Sequence, residues 1–165
     1  MPENGLKVIK YNTVTIRQVT KEDLPAIVEM LANDKLGRLR EDFQIPLPKV
    51  YVQAFERIKA DKNQELLTVE NEEQEPIATF QLSFIPYLTY QGGIRCQIEN
   101  VRVRDDYTGK GIGRQMFAWI IERAKQKGAH VVQLTSDKQR PHAIRFYEKL
   151  GFSASHEGMK LHLAP

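Results

Sequence analysis

One cysteine, Cys96, stands in 165 residues. That excludes a disulfide framework within the chain and a zinc site built from several cysteines. A lone thiol fits a reducing cytoplasm, the expected location. No apolar run approaches the roughly 20 residues that span a bilayer. The opening MPENGLKVIKYN has neither an apolar signal core nor a small-residue cleavage site. The chain therefore reads as soluble and unprocessed. Repeats, low-complexity tracts and linkers are also missing.

What is there is ordinary globular material: 41% hydrophobic and 27% charged residues. Such a composition can bury a core without a metal or disulfide staple, and one domain over residues 1–165 is expected. Charge is unevenly spread. Residues 1–101 carry net −3, residues 102–149 carry net +6, and the whole chain carries +3. The basic stretch suits an anionic partner; a basic helix surface explains it equally well.

Periodicity sets out the elements. Thr13 to Val19 alternates like a half-buried strand. Thr20 with Asp23 approximates a capping box for a helix bearing Leu24, Ile27, Val28 and Leu31 on one face. Residues 33–48 are an irregular loop, and Pro48 opens a second helix to about Ala60. Residues 65–70 and 76–85 form a hairpin. In the next strand, 94–103, apolar residues alternate at Ile94, Cys96 and Ile98, then change phase at Val101 and Val103. A one-residue phase slip predicts a bulge or splay near Glu99 and Asn100. A helix over 111–127 buries Ile112, Met116, Phe117, Trp119, Ile120 and Ala124. A nearly continuous apolar middle makes 130–136 a central strand. A short helix over 141–150 follows, and 152–163 supplies one or two more strands. The order β-α-α-β-β-β-α-β-α-β predicts an α/β fold: a mixed, mostly antiparallel central sheet with helices on both faces.

The chemistry concentrates where the 94–103 strand runs into a turn holding Gly109, Gly111 and Gly113, then a helix. Glycines permit unusual backbone angles and let a ligand approach the peptide N–H groups. First-turn amides lack intrahelical partners, and the helix dipole adds about half a positive charge. Together they make a phosphate cradle, flanked by the charges of Lys110 and Arg114. The dinucleotide pattern G-x-G-x-x-G fails here at Arg114, and no Walker P-loop is present. A ligand-free glycine turn remains an alternative at this point.

Thr108-Gly109-Lys110-Gly111-Ile112-Gly113, together with Ala143, Tyr147 and Leu150-Gly151-Phe152 downstream, resembles the two signatures of the GNAT superfamily of acyl-CoA-dependent N-acyltransferases. The resemblance covers roughly residues 13–163. It implies a GNAT-like fold with a splayed strand pair, and acetyl transfer from acetyl-CoA directly to an amine without an acyl-enzyme. Two positions depart from the pattern. Thr108 stands where the family usually has Gln or Arg, and Arg140 where many members have Asn. Arg140 could instead meet an anionic part of coenzyme A.

The cofactor-binding candidates are Thr108, Gly109, Lys110, Gly111, Ile112, Gly113 and Arg114, then backbone groups of Val101, Arg102 and Val103 in the splayed strand, and Arg140, to which the family's Asn role does not carry over directly. Tyr147 is the candidate general acid, because a phenol is protonated at neutral pH and can give its proton to a departing thiolate. A core tyrosine is the alternative. Glu99 is the candidate general base, with partial burial raising its pKa; a salt-bridged strand carboxylate is the alternative. His142 and His156 are weaker choices. The alternating position of Cys96 suits packing rather than a nucleophile. Asp34, Glu41 and Asp42 in the 33–48 loop suit either a cationic acceptor or plain solvation. A small or amino-acid-like amine is the expected partner, with no metal, nucleic acid or membrane; a homodimer is a family-based expectation. Binding of acyl-CoA without turnover is the competing reading.

Overall fold

The computed structural model describes residues 9–11, 14–34 and 36–163. Six strands form one sheet in sequential order: β1 (Ile9–Tyr11), β2 (Val14–Gln18), β3 (Gln64–Glu70), β4 (Pro76–Pro86), β5 (Ile94–Val103) and β6 (Val131–Leu134). All neighbours are antiparallel except β5 and β6, which run parallel. The helices of nine or more residues are α1 (Leu24–Ala32), α2 (Lys49–Ala60), α3 (Ile112–Gln126) and α4 (Pro141–Lys149).

Alternation along β3 sorts the layers. Leu66 faces α1 and α2 with Val19, Leu24, Ile27, Met30 and Phe55. Leu67 points the other way, into the larger core with Phe80, Leu82, Ile98 and the stripe of α3. Six α3 residues, Ile112, Met116, Phe117, Trp119, Ile120 and Ala124, are buried there, as their spacing predicts. Buried Glu65 fixes α3 to the sheet through Arg123 at 2.6 Å and Lys127 at 3.1 Å. On the opposite side, Arg17 ties β2 to Asp23 at 2.7 Å and to Glu70 at 2.7 Å. Asp23 also accepts the Thr20 N–H at 2.7 Å, closing the expected helix entry.

Three expectations change. The strand beginning at Thr13 starts at Val14 among the described residues, since Thr13 lies outside them, and β1 adds a strand before it. The 130–136 segment is not central: among the described residues, β6 is the edge of the sheet and pairs with β5 alone. Its apolar residues answer to α3 below it rather than to strands on both sides. Residues 152–163 form no strand; Met159, Leu161 and Leu163 stand almost fully exposed. Alternation equips a segment for a sheet face but supplies no pairing partner. No helix among the described residues is long and apolar enough to cross a membrane.

Candidate active site

The site is built around the end of β5. Thr79 pairs with Arg102 and Gln81 with Glu99, so one residue of β4 faces two of β5. The two are Asn100 and Val101, opposite Phe80, at the predicted bulge. Asn100 takes φ +54°, a left-handed angle that asparagine tolerates better than most residues. The bulge explains the phase slip. Before it Cys96 and Ile98 enter the α3 core, and after it Val101 and Val103 do.

The bulge also marks the parting of two strands. Pairing between β5 and β6 stops at Ile98 and Leu134. Beyond that point, β6 offers no ladder partner to the backbone of Glu99 to Val103. These peptide groups lie past the end of the β5–β6 ladder, with the α3 entry just downstream.

At that entry Gly109 and Gly111 adopt φ +79° and +82°, angles a Cβ would strain. No atom of the described residues lies within 4 Å of where their Cβ atoms would sit. The loop is thus shaped by backbone need and left open above. Gly113 is glycine for another reason: its Cβ would stand 3.1 Å from the Phe146 ring. The first intrahelical bond of α3 runs from Gln115 N–H to the Gly111 carbonyl at 3.2 Å. The amides of Ile112, Gly113 and Arg114 precede it and have no intrahelical acceptor. Lys110 and Arg114 are exposed beside them, and the Lys110 ammonium rests 4.8 Å from the Tyr107 ring centroid. Thr108 is exposed, its hydroxyl 3.5 Å from the Arg104 carbonyl. This open turn leaves backbone N–H groups without intrahelical acceptors, beside two cationic side chains.

Tyr147 lies on α4 in an aromatic cluster, 5.4 Å from the Phe117 ring and 6.1 Å from Phe152. Burial pushes its phenol pKa up, and the charge of Arg140 offsets this only in part. The group is therefore a protonated donor throughout the neutral range. Its hydroxyl bonds no protein group among the described residues and is not sealed from solvent.

Glu99 does not have the burial expected of it. Its side chain is exposed and accepts a 3.0 Å bond from Gln97. It lies on the α1 and α2 face, opposite the buried Ile98, in regular register with Gln81. His142 and His156 are exposed too, bonded to Arg145 and Ser155 respectively. Cys96 is fully buried, and that burial, with a smaller contribution from Glu65, pushes its thiol up to about 12. It is a core residue.

Arg140 and Arg102 converge on one carboxylate, Asp34. Arg102 approaches it at 3.5 Å, bonds the Met30 carbonyl at 3.2 Å and meets Asp105 at 3.2 Å. Burial opposes ionisation of Asp34, but Arg140 and Arg102 outweigh it and hold the carboxyl below its usual range. The acidic trio is thereby dispersed. Asp34 closes an ion pair, Glu41 accepts from the Tyr51 hydroxyl at 3.1 Å, and Asp42 donates its N–H to the same oxygen at 2.8 Å. Sequence reasoning missed the latch because its partners lie 106 positions apart.

A family model described as the acetyltransferase (GNAT) family matches residues 33–152. An L-methionine sulfoximine/L-methionine sulfone acetyltransferase of Pseudomonas aeruginosa is 27% identical over 145 residues, which is 87% of this chain and 82% of that protein. A solved structure from Bacillus halodurans, described as a transcriptional regulator, is 55% identical with a TM-score of 0.88, covering 91% of this chain and 99% of its own. A Trypanosoma brucei acetyltransferase superposes with a TM-score of 0.74 at 26% identity, covering 91% of this chain and 99% of that one.

Proposed function

Since the chain belongs to the GNAT acetyltransferase family, we propose that it is a cytoplasmic enzyme moving an acetyl group from acetyl-CoA to an amine of the amino-acid type. The observation that carries this is the open, glycine-shaped entry to α3, with unpartnered amides from Ile112 to Arg114 and cations at Lys110 and Arg114. The amino-acid preference is supported by the Pseudomonas relative's named substrates. Acetyl-CoA supplies an activated thioester.

In this reading the Gly109 to Arg114 amides would hold the pyrophosphate. Backbone groups of Val101 to Val103, past the end of the β6 ladder, would orient the pantetheine arm and the acetyl carbonyl. Tyr147 would give its phenol proton to the departing sulfur. Glu99 would accept a proton from the incoming amine, directly or through water, its exposed carboxylate also attracting the ammonium. Arg140 sits in the Asp34 latch, which favours a loop-positioning role over contact with coenzyme A.

Binding without turnover is the second reading, favoured by the 55% identical protein being described as a transcriptional regulator. Incubation with acetyl-CoA and a panel of L-amino acids, read by free-thiol release, separates the two. Amine-dependent release supports transfer. Cofactor binding with no release across the panel supports the sensor.

A further inference from the structure

The sheet face opposite α3 carries an unusual band. Register places Gln64 beside Ser83, Ser83 beside Gln97, and Gln97 beside Gln133. Four polar residues thus stand in one row across β3, β4, β5 and β6, all half-buried. Gln81, beside Glu99, begins the next row. The side chains hold one another. Gln64 Oε1 accepts from Gln81 at 2.9 Å and from Ser83 at 2.7 Å, while Gln97 Oε1 accepts from Gln133 at 2.6 Å. Gln97 in turn donates to Glu99 at 3.0 Å.

These bonds leave groups over. Gln64 Nε2, Gln81 Oε1 and Gln133 Oε1 have no protein partner among the described residues, and none is a sealed, unpaired atom. They therefore face outward from a pre-ordered network. Charge brackets the band. Glu99 lies one step along β5, about 7 Å away for two strand residues. Arg95 lies one step the other way, its guanidinium stacked 4.3 Å from the Tyr87 ring centroid. Between them the floor is neutral, with both donors and acceptors.

We propose that this Gln64–Ser83–Gln97–Gln133 row, with Gln81, is the acceptor-recognition floor: it selects an amine whose neutral polar terminus lies about one strand step from the reacting nitrogen. An ammonium drawn to Glu99 places such a terminus over Gln97 and Gln133. An L-amino acid with an amide or similar uncharged polar group three carbons beyond its α-carbon has that span. An aliphatic side chain would strip water from the amides without replacing their bonds. A second cationic group would meet no carboxylate there. This rests on the acetyltransferase reading for the placement of the amine.

Calorimetric titration of the CoA-saturated protein with L-glutamine and its near-isostere L-norleucine tests the floor without requiring turnover. L-Glutamine should bind roughly tenfold more tightly, and Gln133→Leu should bring the ratio close to one. Gln64→Leu, at the far end of the row, should shrink it too, which guards against a misfolded single variant. Equal affinities in the unaltered protein, undetectable binding of both amino acids, or a ratio untouched by both substitutions would overturn the inference. Discrimination without acetylation would uphold the floor and reject the transfer reading instead.

Discussion

Tyr147 is the residue on which chemistry and packing meet. Its ring belongs to the aromatic cluster with Phe117 and Phe152, while its hydroxyl is free. Tyr147→Phe keeps the ring and removes the proton, so kcat should fall about 100-fold with KM for acetyl-CoA little changed. An unaltered kcat would remove Tyr147 from the mechanism. Because burial raises the phenol above its ordinary value near 10, the protonated form persists through the weakly alkaline range. The rate should show no alkaline fall due to Tyr147 below about pH 10. A fall centred lower that vanishes in Tyr147→Phe would contradict this. Glu99 shows what residue-level reading cannot reach. Its position at the bulge was legible from the phase slip, but its exposure was not, because apolar sequence neighbours do not fix how far the other face of a strand is covered.

Among the elements, the bulged β5 and the latched loop after α1 shape the site. Asn100 holds φ +54° without the freedom of glycine. Asn100→Val should lower stability by about 1–2 kcal/mol, and Asn100→Gly by much less, as read by thermal unfolding. Equal losses would mean the left-handed angle is not what fixes the bulge. Asp34 makes its own test. Its folded pKa is depressed, so its contribution is present above the unfolded value near 4 and is lost as pH falls through the lower folded value. Asp34→Asn should be less stable than the unaltered protein at neutral pH, and the gap should narrow as acid is added. A gap independent of pH would show that the ion pairs with Arg102 and Arg140 contribute nothing. The α3 stripe was readable because helical period and burial describe the same face. The edge position of β6 and the unpaired tail were not, since periodicity reports faces and says nothing of neighbours.

At the scale of the molecule, two layers are pinned to one sheet by buried charge as well as by apolar contact. Glu65 is 4% exposed and faces Arg123 of α3 and Lys127 just past its end. Arg123→Ala leaves that carboxylate with Lys127 alone, and should cost about 3 kcal/mol in denaturant unfolding. A negligible loss would mean that apolar packing alone holds α3. The same helix presents the glycine-shaped entry, so its seating on the sheet sets where a phosphate could rest. Titration calorimetry with acetyl-CoA, on the unaltered protein and on Gly111→Asp, addresses that central claim most directly. The substitution puts both a Cβ and a negative charge at a residue with φ +82°. The account predicts saturable binding by the former and at least about a 100-fold loss in the latter, with the variant still folded. Equal affinity in the two proteins, or no binding by the unaltered one, would contradict it.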